Sequence, residues 1–539
     1  MSFARFLRYS TTIGIGGYSA YVLQQNNWDA RNIGIVRFGR AAWIVGQVSV
    51  DYKFSVSELT DDSEETCEKW SQCHLRSAQR LLKLCSQNGG VFIKVGQHIA
   101  ALDYLVPKEY VDTLKVLHSR GPRTDLIDIE KVIKEETGKE VNQLFDNFDP
   151  EPLGAASLAQ VHKATLKTTG ETVAVKVQHP NVLRHSVVDM ATMEFLFTVV
   201  SKIFPSFNFL WLAAETRRNL PFELDFYNEG KNSETMAGIL AKFPWLKVPK
   251  IYWNLTSKRT LVMEYAEGNF VSDREYFIKA KIDTAELCNR IEQMYSEMIF
   301  LSGTVHCDPH PGNILVKKNG RDFNIVLLDH GLLTRLTDEF RETYCCMWMA
   351  VLNGNEPEII RCAKKMGIDL GKEHYAQLLS CMITAKPWSA VKRGLANVPD
   401  EKTRNAEVGY DHFLMPLETD HEFLPEFSQK DELRKNASRY FGDISKILAT
   451  VDRQLLLLMK TNDLIRSIAF TLGNDERRSF LTMTKACYSM LQQKKARESG
   501  NSLVKLALQM QSQWFFFKIW VYSLYLWLTW TGPSRKMVA

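Results

Sequence analysis

The segment VHCDPHPGNILV, residues 305–316, sets His306, Asp308 and His310 at alternate positions and places Asn313 five residues after Asp308. Downstream, the short apolar run Ile325–Leu328 delivers Asp329 at its end, followed by Gly331, where the backbone can turn sharply. A strand-end carboxylate beside an asparagine-bearing loop suits Mg²⁺, which takes a few hard oxygens from protein and fills its shell with water and phosphate oxygens. Asn313 offers a neutral oxygen and Asp329 a charged one, while Asp308 suits taking a proton from, or orienting, a nucleophile in line with a terminal phosphate. The rival reading is zinc, held by His306, Asp308 and His310 pointing one way from an extended segment, but no Cys or His constellation completes the shell. His306 reads better as a side chain that hydrogen-bonds backbone near the metal loop.

A second chemistry-bearing position is Lys176, set in the apolar strand VAVKV. A buried ammonium must find a carboxylate or an anion, although a solvent-facing lysine on an edge strand is the alternative, since Lys176 shares a face with Ala174 and Gln178. Carboxylates are available downstream in PFELDFYNEG, where Glu223, Asp225 and Glu229 lie among Phe222, Leu224 and Phe226. The segment reads as an acidic helix, on which Asp225 and Glu229 are four apart and fall on one face. Lys94, in FIKVGQH, is a second lysine in apolar surroundings that these carboxylates could partner.

Strand lysine, helix glutamate, H-x-D-x-x-x-x-N and D-x-G occur here in the order of the protein-kinase signature set. More specifically, KVGQ (94–97), GAASLAQVH (154–162), VAVKVQHP (173–180), ELDFYNE (223–229), HCDPHPGN (306–313) and LLDHG (327–331) resemble the UbiB or AarF-domain family of atypical kinases, closest to a metazoan mitochondrial subgroup. The likeness spans about 90–335 and weakens towards 480. It implies an α+β, protein-kinase-like bilobal fold with a helical N-terminal extension over the substrate cleft. It also implies that Lys176 holds the phosphates of ATP or ADP and pairs with Glu229, that Asn313 and Asp329 bind Mg²⁺, and that Asp308 is the base-like aspartate. Gly154, Ala155, Ala156 and Ser157 would form the phosphate loop, with Glu264 and Tyr265 at the nucleotide. Lys94, Gly96 and Gln97 would gate the cleft, with Lys94 paired to Glu223 or Asp225. The loop departs from the kinase G-x-G-x-x-G by carrying one glycine, Gly154, so nucleotide preference or turnover should differ.

The elements that must position these residues follow from periodicity. Residues 60–145 carry apolar side chains at three- and four-residue spacing, the mark of helices, with a tight break at Asn88-Gly89-Gly90. SLAQVHKATL and ETVAVKVQ, separated by Thr168-Thr169-Gly170, read as a hairpin. Residues 183–245 return to helix, RTLVMEYAEG (259–268) is one more strand, and from 284 to about 480 helices dominate apart from FNIVLLDHG. The domains expected are a targeting segment or anchor (1–40), a helical extension (60–145), a small β-containing lobe (146–266), a helical lobe (267–490) with an acid-rich insert (398–432), and a basic, aromatic C-terminal helix (491–539).

Both ends suggest membranes. The first 28 residues carry Arg5 and Arg8 without an acid, the composition of a mitochondrial transit segment, and Thr11–Leu23 is a weakly apolar run shorter than the roughly 20 residues that cross a bilayer. It reads as a marginal anchor, a cleaved presequence, or both in part. WFFFKIWVYSLYLWLTW (514–530), with basic flanks, suits a membrane interface or a short span, or else a core helix. The composition, 45% hydrophobic and 24% charged with a net charge of +5, is globular and does not suggest a nucleic-acid binder. Ten cysteines without a C-x-x-C pair read as reduced, buried thiols.

Two functions follow as expectations. One is an atypical kinase or ATPase at the mitochondrial inner membrane, acting on a small or lipidic substrate in lipid or quinone metabolism. The other is a nucleotide-binding pseudokinase scaffold that organises membrane proteins.

Overall fold

The computed structural model describes residues 32–56, 63–100, 106–119, 121–205, 209–308, 310–368, 374–384, 391–392, 451–473, 476–499 and 501–529. The N-terminal segment to residue 31 and the acid-rich stretch 398–432 lie outside them. The chain forms two compact units, one of residues to Tyr227 with Tyr252–Tyr265, the other of Asn228–Ile251 with the chain from Ala266 onward.

The first unit opens with helices α1 (Gly34–Ser55), α2 (Glu64–Asn88), α3 (Gly90–Ala100), α4 (Lys108–Leu114) and α5 (Leu126–Thr137). Gly89 and Gly90 both take positive φ, which ends α2 and starts α3 in a new direction. Strands β1 (Phe145–Phe148), β2 (Gly154–Ala155), β3 (Ala159–Leu166) and β4 (Thr172–Gln178) follow, the last two joined through Gly170 at φ +70°. Val173, Val175 and Val177 of β4 are fully buried, packing with Ile129, Val132 and Ile133 of α5. Helices α6 (Val182–Ile203) and α7 (Leu210–Glu223) complete the run. Arg37 of α1 donates to Asp189 of α6 through Nε at 2.8 Å, a buried pair that fastens the two helices.

Helix α8 (Phe226–Leu240) carries the chain into the second unit, which receives β5 (Leu246–Lys247) before the chain returns to the first for β6 (Thr260–Glu264). The first sheet is antiparallel in the order β1-β3-β4-β6, with β2 on β3. The stretch 222–229 is therefore two helices broken at Leu224-Asp225, not one acidic helix. Asp225 takes the turn, its Oδ1 accepting from Tyr227 N at 3.1 Å.

In the second unit, β7 (Asn269–Phe270) and helices α9 (Arg274–Ala280) and α10 (Thr284–Ser296) precede a π-helical turn, Glu297–Ser302, that ends at Gly303 with φ +71°. Four strands then follow where only one was expected: β8 (Thr304–His306), β9 (Ile314–Asn319), β10 (Asp322–Leu327) and β11 (Leu333–Arg335). β9 and β10 form a hairpin through Gly320, β5 and β7 add to its two edges, and β8 pairs with β11. Their shortness hid them, because three to six residues leave little room for a period to show. Helices α11 (Asp338–Asn353), α12 (Glu356–Lys365), α13 (His374–Thr384), α14 (Arg453–Thr471) and α15 (Glu476–Glu498) supply most of the remaining core, and α16 (Ser502–Thr529) follows them. Helix α16 stacks Phe515 on Tyr488 of α15 yet leaves Leu503, Met510, Trp514, Phe517 and Trp520 exposed. Those five side chains lie outside the core, and among the described residues no helix is long and apolar enough to cross a membrane.

Candidate active site

The second unit gathers Asp308, Asn313, Asp329 and Glu229, and one histidine explains how. His306, buried on β8, donates from Nε2 to the Asp329 carbonyl. That bond makes Nδ1 the acceptor, and the Asp308 amide points to it at 3.4 Å. The side chain read from sequence as a backbone tie thus joins two motifs 23 residues apart. Asn313 closes the same loop by donating from Nδ2 to the Asp308 carbonyl at 3.0 Å, which leaves its Oδ1 as an acceptor. At the open end of the β9–β10 hairpin the Leu328 amide donates to the Asn313 carbonyl at 2.8 Å, setting Asp329 beside Asn313.

Asp329 takes φ +52°, a left-handed backbone uncommon outside glycine, and its Oδ1 accepts from Gly331 N at 3.2 Å. A Cβ on Gly331 would lie 3.2 Å from that oxygen and 3.9 Å from Glu229 Oε2, so the glycine leaves room for two carboxylates. Glu229 itself is buried. Asn232, one turn further along α8, donates to the His330 carbonyl at 2.9 Å and holds the helix against the turn.

His310 is not aimed with His306. Its Nδ1 accepts the Gly312 amide at 3.0 Å within the 3₁₀ turn Pro311–Asn313, because the strand ends at His306 and the alternation stops there. Among the described residues no three His, Cys, Asp or Glu side chains gather as metal ligands, which removes the zinc arrangement. An amide oxygen beside a carboxylate is instead a small hard-oxygen set that fits Mg²⁺.

In the first unit Lys176 sits on the central strand β4, opposite Val161 of β3 and Leu261 of β6, so it is not an edge-strand lysine. It is half-buried, with Nζ 5.2 Å from the centre of the Phe226 ring. Gln178, two residues on, donates to the Leu224 carbonyl at 2.6 Å and ties β4 to the end of α7. Glu264 ends β6 and Tyr265 follows it, with Lys163 Nζ 4.6 Å from the Tyr265 ring centre.

The KVGQ helix turn is held at three points. Lys94 Nζ lies 2.9 Å from Glu223 Oε2 with both side chains mostly buried, so Glu223 and not Asp225 takes the lysine. Gln97 Nε2 donates to the Leu117 carbonyl at 2.9 Å. A Cβ on Gly96 would meet Leu117 Cδ1 at 2.5 Å and Cys85 Sγ at 3.0 Å, so only glycine lets α3 close on its neighbours without rearrangement.

The loop Gly154–Ser157 is fastened from the other side. Gly121 N donates to the Ala155 carbonyl at 3.2 Å, and His179 Nε2 donates to the Ala156 carbonyl at 3.1 Å while its Nδ1 accepts from Thr124 Oγ1 at 2.7 Å. Burial holds the His179 pKa below the usual value, in keeping with a neutral ring that donates on one side and accepts on the other. Gly154, the glycine singled out from sequence, would meet nothing with a Cβ, whereas a Cβ on Gly121 would lie 2.4 Å from Ala155 O. Gly121 is thus the sterically required residue, and the sequence signal that could have found it is its place before Pro122 in an otherwise helical stretch.

A further residue that motif reading missed is Lys460 of α14, whose Nζ lies 3.6 Å from Asp308 Oδ1.

The family described as the ABC1 atypical kinase-like domain matches residues 116–363. The AarF domain-containing protein kinase 1 of Mus musculus is 44% identical over 494 residues, covering 91% of this chain and 88% of the mouse protein. The chain belongs to the ABC1, or AarF-domain, family of atypical kinases. The AarF domain-containing kinase 1 of Drosophila melanogaster is likewise 44% identical, covering 98% of this chain and 97% of its own. The ABC1 family protein MCP2 homolog of Schizosaccharomyces pombe is 36% identical, with 84% and 78% covered. The ABC1 match begins just before Gly121 and ends within α12, so it includes the loop, Lys176 and the Asp308 to Asp329 cluster. Lys94 and Lys460 lie outside it.

Proposed function

We propose that this ABC1-family chain binds Mg-ATP and either hydrolyses it slowly or transfers its terminal phosphoryl group to a small or lipidic substrate. The observation that carries the reading is the cluster in the second unit: Asp308, Asn313 and Asp329 tied together through His306, with Glu229 beside Gly331. Asn313 Oδ1 and the Asp329 carboxylate of the second unit would hold the metal. In the first unit, the family likeness assigns Lys176 and Gly154–Ser157 to nucleotide phosphates. Magnesium, when bound, neutralises charge on the phosphate oxygens. Asp308 takes the proton of the attacking hydroxyl, and the His306 and Asn313 bonds hold it in place for that transfer.

Membrane lipids of the mitochondrial inner membrane are the proposed surroundings. The exposed Trp514, Phe517 and Trp520 of α16, with basic residues at its ends, are suited to an interfacial position and to membrane-protein partners there.

The test is nucleotide binding by the purified full chain. Asp329→Asn is expected to weaken Mg-ATP binding by about 10-fold or more, since it removes the only charged oxygen of the proposed pair. EDTA should abolish binding by the wild type, and added Mg²⁺ should restore it. Unchanged affinity in Asp329→Asn, or binding indifferent to EDTA, overturns the metal assignment.

A further inference from the structure

The loop from Asp308 to Asn313 carries no lysine or arginine. It reads Pro309, His310, Pro311, Gly312, and His310 Nδ1 is held as an acceptor by the Gly312 amide. A cation does reach Asp308, from a helix about 150 residues later in the chain. Lys460 Nζ stands 3.6 Å from Asp308 Oδ1, with the lysine side chain 24% exposed and the aspartate 41% exposed.

Such a pair adds little to stability, because solvent screens it and the long lysine side chain loses entropy. Nor does α14 need it. Leu455, Leu458, Met459, Ile465 and Ile468 are buried in the core of the second unit. Asn462 donates to Tyr344 OH at 2.9 Å, and Arg466 donates to the Ile383 carbonyl at 3.1 Å. Asp452 caps the helix through the Gln454 amide at 2.7 Å. Lys460 lies between buried Met459 and Thr461, on a helix already fixed along its length, so the packing aims the ammonium at one carboxylate.

We propose that Lys460 is a positioning residue for phosphoryl transfer, holding the Asp308 carboxylate in the orientation that receives the nucleophile's proton. The inference rests on the function proposed above. In the step, the oxygen of the attacking hydroxyl forms its bond to the terminal phosphorus of a nucleoside triphosphate while its proton passes to Asp308. The bond from that phosphorus to the bridging oxygen breaks, and its electron pair leaves with the nucleoside diphosphate. Asp308 then releases the proton to solvent. Lys460 touches none of the reacting atoms; it acts through the carboxylate.

The test measures phosphate release from Mg-ATP by the full chain, in wild type, Lys460→Met, Lys460→Arg, Asp308→Asn and the double variant Lys460→Met/Asp308→Asn. Lys460→Met should lose on the order of 10- to 100-fold in kcat, a part of what a general base contributes. Its KM for ATP and its Mg-ATP Kd should stay within about 3-fold, because binding is not what the lysine serves. Lys460→Arg should recover most of kcat, and the double variant should be no slower than Asp308→Asn alone. Thermal midpoints of all variants check folding. Wild-type kcat in Lys460→Met, or losses that multiply in the double variant, overturns the role of Lys460 while the function stands. Equal release from wild type and Asp308→Asn overturns the function and this inference together.

Discussion

At the scale of single residues, a few side chains do two things at once. His306 is the clearest case, since its ring spans from the Asp308 amide to the Asp329 carbonyl. Replacing it with Phe keeps the volume of a buried ring and removes both bonds, so the Asp329 carbonyl loses that donor and the Asp308 amide that acceptor. His306→Phe is expected to weaken Mg-dependent ATP binding by about 10- to 100-fold, the usual effect of losing a group that orients metal ligands. Isothermal titration of the variant, with a thermal melt to establish folding, checks this. Asp329 matters in the same way through its backbone: a left-handed aspartate is held by its own Oδ1 bond to Gly331 N, so the turn and the proposed metal ligand are one feature.

At the scale of elements, close packing sets what the loops can be. Gly121 allows its segment to lie against the Ala155 and Ala156 carbonyls, where an added Cβ would stand 2.4 Å and 2.6 Å from the two oxygens. Backbone oxygens cannot swing aside as a flexible side chain does. Gly121→Ala is therefore expected to cost about 1–3 kcal/mol, the range for overpacking, and to weaken nucleotide binding. Gly154→Ala, with open space around it, should leave stability unchanged to within about 0.5 kcal/mol. Denaturant melts of the two variants side by side decide the matter; an equal response would mean that the loop is not fastened through Gly121. Helix α3 follows the same rule at Gly96, though there the closest atom is a leucine side chain.

At the scale of the whole molecule, histidines whose pKa burial lowers are expected to make stability fall in acid. Among the described residues the buried Nε2 of His185 on α6 meets no hydrogen-bond partner, and burial, then Arg37 and Arg184, lower its pKa from 6.5 to about 4. As pH falls, the unfolded chain takes this proton near pH 6.5 while the folded chain resists it until about pH 4. Stability is thus full above pH 6.5 and declines as pH drops through that window, by on the order of 2 kcal/mol from this residue after allowing for partial solvation. His162 and His179 are shifted downward by burial too, so the readout is a difference. His185→Gln should lose less of its melting temperature between pH 7.5 and pH 5 than wild type does.

The amino-acid sequence by itself determined the motifs on which the proposed chemistry rests: strand lysine, helix glutamate and the Asp308, Asn313 and Asp329 set were legible in order, as was the hairpin carrying Lys176. These are local signals, carried by residue type over short spacings, and tertiary contacts are not needed to state them. It determined less well the short strands of 304–335, the break at Leu224-Asp225, and which of two carboxylates Lys94 would choose. Only the tertiary structure decided that Glu223 meets Lys94, that Gly121 rather than Gly154 is the required glycine, and that Lys460 faces Asp308. Each of those depends on atoms distant in the chain approaching within a few ångströms. A pattern read along one strand of sequence contains no information on such approaches, because close packing acts on what is near in space.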